Sequence, residues 1–198
     1  MRPLPFTGEH AYSIIFWACW ALWVMPEVIG LRTKRSGAPS KASDRGSCAL
    51  ILILLPVGMA LDLFLSLNLP QAAITRMRVE LFFLGICLML AGIALRRYAM
   101  AVLGRYFTAE VGVQAGQTVI DTGPYRYVQH PAYSGALLSG LGFGFALGNW
   151  AGLIAMLACA GTAYAYRVPI EESALIASLG EPYKQYMRRT WRLMPFIF

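Results

Sequence analysis

From Ser134 to Tyr166 the chain runs 33 residues without one charged side chain. A helix crossing a membrane needs about 20 apolar residues to span about 30 Å of hydrocarbon. At 1.5 Å per residue, 33 helical residues would be about 50 Å long, too much for one crossing. Gly148-Asn149 near the middle supplies a break, so the run reads as a tight helical hairpin, Ser134–Gly148 and Trp150–Tyr166. Three more apolar runs precede it: Ala11–Leu31, interrupted only by Pro26 and Glu27; Leu50–Leu69, with Asp62; and Val79–Leu95, with Glu80 at its edge. The pattern predicts an all-α, polytopic integral membrane protein with five transmembrane helices, the last two forming the hairpin. The chain divides into three spans with their loops (1–103) and a part rich in polar motifs (104–198), within a single membrane domain, 1–198.

Composition agrees with this class. Apolar residues make up 58% and charged residues 14% of the 198, against roughly 45–50% and 25% in soluble domains. A disordered tail, a nucleic-acid-binding module and a disulfide-knit secreted domain are poor fits. Cys19, Cys48, Cys87 and Cys159 lie in or beside apolar runs, without metal-ligand spacing, and read as small hydrophobes. His10 and His130 are the two histidines, so a multi-histidine metal site is excluded. Asp62 costs about 2.5–3.5 kcal/mol at a helix centre, but the 13 Leu, Ile, Val and Phe residues of 50–69 outweigh it at about 0.3–0.6 kcal/mol each. Its role is either functional or a bond to a neighbouring span. Glu27 and Glu80 read as interfacial.

The +7 net charge is placed unevenly. The first and third loops and the C-terminal tail carry 14 of the 17 Lys and Arg residues. The positive-inside rule then sets the N-terminus outside and the C-terminus in the cytoplasm, which requires an odd number of spans. The leading segment has one Arg and one Glu before the first span and no small-residue cleavage pattern after it, so it is not read as a signal peptide. Gly140, Gly144 and Gly148 share one helix face and read as a packing stripe.

Two stretches abutting the membrane hold most of the polar, structurally unusual residues: Gly104–Tyr133 and Tyr166–Phe198. In the first, Asp121-Thr122-Gly123-Pro124 is a turn signal. Tyr125 and Tyr127 flank Arg126, and Pro131 suits a first helical turn, which puts His130 at an N-cap with free amides nearby. An aromatic belt with a capping histidine would also explain these features. Ser134, four residues after His130, lacks a nucleophile elbow and an oriented Asp, so a hydrolase is not supported. In the second stretch, Pro169 is expected to end the fifth helix and restart one with Glu171 and Glu172 in its first turn. Gly180 ends that helix and Pro182 starts another. A site formed where the stretches meet would face both water and bilayer, which suits a soluble cofactor and a lipid-borne substrate.

Together the two stretches resemble the isoprenylcysteine carboxyl methyltransferase family, notably its short prokaryotic members. The resemblance is carried by Gln117-Thr118-Val119-Ile120, Gly123-Pro124-Tyr125, His130-Pro131-Ala132-Tyr133 with Gly135, and Asn149. In the tail it is carried by Arg167-Val168-Pro169-Ile170-Glu171-Glu172, Gly180-Glu181-Pro182-Tyr183, Tyr186-Met187 and Arg192-Leu193-Met194-Pro195. It implies S-adenosylmethionine as methyl donor, S-adenosylhomocysteine as product, and a prenylated or otherwise lipophilic acceptor entering from the bilayer of a prokaryotic plasma membrane. Gln117, Thr118, Val119, Ile120, Tyr125, His130, Pro131, Ala132 and Tyr133 would line the cofactor pocket. Glu171 would hold the cofactor and Arg167 would face the acceptor, so the catalytic roles fall on Arg167 and Glu171. Two positions depart from the family pattern: Gln129 replaces its usual Arg and Gln117 its usual His.

A carboxylate is already ionised at pH 7 and needs no base, whereas an amine must first lose a proton, for which Glu172 or His130 could serve. That asymmetry favours carboxyl O-methylation over a phospholipid or other small-lipid methyltransferase. A non-enzymatic membrane protein on the same scaffold and a nicotinamide-dependent reductase of sterol type are the remaining readings. Neither the natural acceptor nor the oligomeric state is legible in the sequence.

Overall fold

The computed structural model describes residues 10–33, 44–108, 111–114 and 116–194. Arg2, Lys34, Arg35 and Lys41, four of the cations behind the predicted orientation, and Pro195 of the tail motif lie outside the described residues. Among the described residues the chain forms six helices and no strand: α1 (His10–Thr33), α2 (Ser47–Asn68), α3 (Arg78–Leu103), α4 (Pro131–Leu147), α5 (Trp150–Leu179) and α6 (Glu181–Arg188). Four of them, α1, α2, α3 and α5, are long and apolar enough to cross a membrane. The first arm of the expected hairpin, α4, has 17 residues and is shorter than those four. Large apolar side chains such as Ile14, Leu22, Ile53, Phe64, Leu84 and Ile154 stay exposed on the helices, an arrangement that lipid, unlike water, rewards.

The break falls where the sequence places it. Gly148 takes a left-handed conformation (φ 70°) that stops α4, with its amide bonded to Gly144 O at 3.0 Å; a Cβ would strain that backbone. Asn149 follows, 1% exposed. Its Oδ1 accepts from the amides of Ala151 (3.0 Å) and Gly152 (3.2 Å), capping α5, while its Nδ2 donates to Leu69 O (2.9 Å) and Leu65 O (3.4 Å) at the end of α2. One side chain thus caps the amides that open α5 and adds a second donor to carbonyls at the end of α2 that already accept backbone amides.

In lipid, helices associate through close packing, because hydrocarbon competes for apolar contact as well as a neighbouring helix does. The α3–α4 seam is built that way: Gly85 lies against Gly142 and Ala146, and Gly92 against Gly135 and Ser139. The stripe read from the sequence packs as expected at Gly140 and Gly144, against Met156 and Leu153 within the hairpin, whereas Gly148 serves as the helix stop. On the far side, α2 packs on α5. There the fully buried Asp62 sits against Gly152 and accepts from Ser66 Oγ (3.4 Å) of its own helix, so its bond is not to a neighbouring span. Phe16, Trp23, Phe82, Met89, Phe143 and Met156 fill the space between α1, α3, α4 and α5. Glu27, expected at an interface, is gripped by Arg96 through two bonds of 2.7 and 2.8 Å.

One expectation is overturned. Pro169 does not end a helix: α5 runs unbroken from Trp150 to Leu179. Proline removes one amide bond and crowds the preceding turn, but the residues on both sides are anchored. Arg167 is tied to Asp44, Ser47 and Tyr133, and Glu172 to Arg192 and His130. Glu171 and Glu172 therefore lie in a helix interior, and complementing a helix N-terminus does not explain them. Gly180 does end α5, with φ 63°, and α6 begins at once with Pro182 in its first turn.

Candidate active site

The segment after α3 folds back on the hairpin as a series of turns. A short helical turn at Gly104–Tyr106 leads into an extended stretch; there Gln117 accepts from the Gln114 amide through Oε1 (3.0 Å), and Tyr106 Oη donates to Gly116 O (3.0 Å). The expected turn forms at Gly123–Arg126. His130 is the N-cap residue of α4, although its ring makes no capping bond.

The tail closes against this segment as a short strap. The Trp191 amide donates to Tyr127 O (3.0 Å), the Gln129 amide to Trp191 O (2.7 Å), and the His130 amide to Arg192 O (3.0 Å). Gln129 reinforces it, its Nε2 donating to Thr190 O (2.9 Å) and Met187 O (3.2 Å). Tyr186 Oη donates to Tyr125 O at 2.8 Å. Ser134 Oγ bonds the backbone carbonyls of His130 and Leu193, not the His130 ring, which again leaves no hydrolase dyad.

Two ionic clusters stand side by side on α5. In the first, Arg167, 3% exposed, pairs with Asp44 through Nη1, donates from Nη1 to Ser47 Oγ (2.8 Å) and from Nε to Tyr133 Oη (3.1 Å). Tyr133 Oη in turn donates to Glu171 Oε2. The direct Arg167–Glu171 approach is 3.8 Å, longer than either of the contacts through Tyr133 or Ser47. In the second cluster, Arg192 forks onto Glu172 with bonds of 2.8 and 3.0 Å, and His130 Nε2 lies 3.4 Å from the same carboxylate. The Tyr133 ring is stacked between those of His130 (centroids 5.5 Å) and Tyr164 (4.8 Å), which fixes its hydroxyl between Arg167 and Glu171.

These elements border an open cavity, about 870 Å³ counted out to solvent. Gln117, Thr118, Val119, Ile120, Tyr125, His130, Ala132, Tyr133, Arg167 and Glu171 all line it. Pro131 does not; it is fully buried at the first turn of α4. Leu103, Phe107, Leu175 and Leu179 give the cavity an apolar side, and Tyr183 and Tyr186 join from α6. Burial, and after it the Glu171 carboxylate, push the Tyr125 and Tyr183 phenols well above their ordinary range, so both stay protonated as possible donors.

Asp44 is the residue that sequence reading missed. It is 5% exposed, sits just before α2 and has no motif around it. Its carboxylate accepts from the amides of Cys48 (2.9 Å) and Val111 (3.0 Å) and from Ser47 Oγ (3.0 Å), besides pairing with Arg167. Burial alone would raise its carboxyl, but the two amides, Arg167 and Ser47 outweigh that and hold it below the usual carboxylate range.

Comparison with known proteins bears out the resemblance carried by the motifs. Residues 84–177 match the model of the isoprenylcysteine carboxyl methyltransferase (ICMT) family. Protein-S-isoprenylcysteine O-methyltransferase B of Arabidopsis thaliana is 30% identical over 115 residues, 57% of this chain and 58% of that protein. Protein-S-isoprenylcysteine O-methyltransferase of Tribolium castaneum is 25% identical over 97% of this chain and 79% of its own length. The solved structure of the eukaryotic intramembrane Ras methyltransferase ICMT shares the fold, with a TM-score of 0.68 at 18% identity, covering 98% of this chain and 68% of that one. Against relatives such as the Arabidopsis protein, the match spans about three fifths of the relative's length.

Proposed function

We propose that this chain, which matches the isoprenylcysteine carboxyl methyltransferase family over residues 84–177, is an S-adenosylmethionine-dependent methyltransferase that esterifies the carboxylate of a lipophilic, prenylated-cysteine-like acceptor. One observation carries the reading: the 117–120 stretch, Tyr125, the start of α4 and the Arg167–Glu171 turn of α5 border a single cavity with a charged and an apolar side. In this reading α4 is the fourth of five spans, the N-terminus is outside, and the cavity opens toward the cytoplasm.

The lining fits the cofactor. S-adenosylmethionine carries two positive centres and an adenosine, and when bound it supplies a methyl group on a sulfonium, an electrophile needing no further activation. Glu171 is a lining carboxylate whose ion pair with Arg167 is the long one, 3.8 Å, while Arg167 pairs more closely with Asp44. Its negative charge suits a cationic ligand, and Tyr133 holds it in place. Val119, Ile120 and Tyr125 offer apolar and aromatic surface for a base, and the protonated phenols of Tyr125 and Tyr183 are available as donors.

Arg167 is assigned to orient the acceptor carboxylate through charge-assisted contact. Methyl transfer is an in-line displacement, so fixing the two reactants supplies much of the acceleration. No base is required of the protein, which agrees with the engagement of Glu172 and His130 in the Arg192 cluster. The apolar side formed by Leu103, Phe107, Leu175 and Leu179 gives a prenyl chain a path from lipid.

Calorimetric binding of S-adenosylhomocysteine to detergent-purified protein tests the reading, wild type beside Glu171→Ala. Binding that weakens at least tenfold in the variant supports it; well-folded wild type that does not bind sinks it. Transfer of labelled methyl groups to an S-prenylated N-acetylcysteine should then give a base-labile ester. Base-stable methylamines on phospholipid would assign an amine acceptor instead.

A further inference from the structure

Arg167 and Glu171 are the ionic residues of the cavity that the motifs single out, yet neither sets its own position. Arg167 is nearly closed off from solvent, and its Nη1 is held by Asp44 and Ser47 while its Nε bonds Tyr133. Asp44 is itself fixed from three sides. The Cys48 amide at the first turn of α2, the Ser47 hydroxyl and the Val111 amide of the cavity wall all donate to it. A buried carboxylate with that many donors is costly to misplace and has little freedom to move.

The geometry points to Asp44 as the positioning residue of Arg167, set from just before α2, 123 residues away in sequence. It holds the guanidinium in one orientation, with Nε toward Tyr133 and the Glu171 carboxylate beyond it. Through the Val111 amide, the same carboxylate binds the cavity wall to that guanidinium. Asp44 also offsets the charge of Arg167, so an acceptor carboxylate meets an oriented donor and not an unpaired buried cation. Uniform ground-state binding lowers KM without helping turnover. An arginine tempered in this way binds the acceptor only as tightly as orientation needs.

The inference rests on the methyltransferase reading, and the experiment separates the two. Full-length protein in lipid nanodiscs is assayed with S-adenosylmethionine and an S-prenylated N-acetylcysteine, and S-adenosylhomocysteine affinity is measured in parallel. Asp44→Asn is expected to leave that affinity within about threefold of wild type while kcat/KM for the acceptor falls at least about tenfold, the scale on which misplaced reactants cost rate. If Asp44 acts through Arg167, Asp44→Asn added to Arg167→Lys costs less than threefold beyond Arg167→Lys alone. Full additivity of the two losses would overturn the assignment, as would an unchanged acceptor kcat/KM in Asp44→Asn. Should Asp44→Asn not fold, Ser47→Ala decides: it removes one shared contact and should lower acceptor kcat/KM in the same direction, whereas unchanged kinetics would count against the role. Wild type that neither binds S-adenosylhomocysteine nor methylates the probe defeats the underlying reading and not Asp44 alone.

Discussion

Gly92 and Gly135 exclude a side chain from each other. A Cβ built on either one would lie within 3.0 Å of the other's carbonyl oxygen, and Gly85 and Gly142 repeat the relation two turns away. The contact between α3 and α4 is therefore made by backbone, and it fixes where α4 begins and so where His130 and Tyr133 sit.

Gly92→Ala should destabilise the protein by about 1–3 kcal/mol, because the atoms in the way are main chain and cannot rotate aside. Gly161→Ala on α5 is the control: nothing lies within 4 Å of its added methyl, and the change should stay within about 1 kcal/mol, on the stabilising side. Thermal unfolding in one detergent compares the two. Equal Tm values for both variants would refute a backbone seam.

Tyr133→Phe keeps the ring stacked between His130 and Tyr164 but deletes the hydroxyl between Arg167 and Glu171. The fold should survive, with Tm within a few degrees of wild type. Methyl transfer should fall about tenfold, the cost of two charge-assisted hydrogen bonds partly offset by direct Arg167–Glu171 approach. Activity retained in full would show that the hydroxyl is not needed to align the pair.

Asn149→Ala removes the α5 cap and the donors to α2 together, and should cost about 1–3 kcal/mol, a lost cap plus a lost hydrogen bond to carbonyls that keep their backbone partners. Asn149→Asp keeps the acceptor for Ala151 and Gly152 but presents an acceptor to Leu69 O. It should lie between wild type and the alanine variant in Tm, and a ranking below alanine would mean that the link to α2 dominates.

Asp44 gives a pH signature with a definite sign. Its folded carboxyl lies below the ordinary value, so the unfolded chain binds its proton first as pH falls. Its contribution to stability is then fully present above the unfolded value of about 3.9 and is lost as pH drops through the folded one. The Tm gap between wild type and Asp44→Asn should be constant from pH 5 to 8 and shrink below pH 4. A gap that shrinks between pH 6 and 8 instead would point to a different titrating group.

The apolar helices and the Gly148-Asn149 break were legible because both depend on local chemistry: run length against bilayer thickness, and a glycine that can take positive φ. The residues of the cavity were legible as motifs, since short segments bring 117–120, 130–133 and 167–172 there as blocks. Asp44 was not, because its meaning comes from a partner far along the chain and its neighbours look like any polar loop. Pro169 misled for a related reason: local propensity argues for a break, while ion pairs on either side of it, at Arg167 and Glu172, hold the helix through. The small residues of the α3–α4 seam were present in the sequence, but the more regular Gly140/Gly144/Gly148 spacing drew attention to the face that packs on α5, where Gly140 and Gly144 meet Met156 and Leu153.

In the proposed reading, with α4 a span and the cavity at the membrane surface, the unequal arms of the hairpin make membrane thickness a variable of the chemistry. As a span, α4 with its 17 residues measures about 25 Å, less than the roughly 30 Å of an average hydrocarbon core, while α5 with 30 residues is about 45 Å long. Counting from the turn at Gly148-Asn149, Arg167 comes level with the start of α4, and the rest of α5 rises past it. A short arm is accommodated by thinning the surrounding bilayer at a cost of fractions of a kcal/mol per Å. On that reading, lipid that resists thinning would draw the cavity mouth inward, and lipid that yields would leave it at the surface. Acyl-chain length would thus tune how readily a partly buried prenyl group and a water-borne nucleotide reach the same few residues.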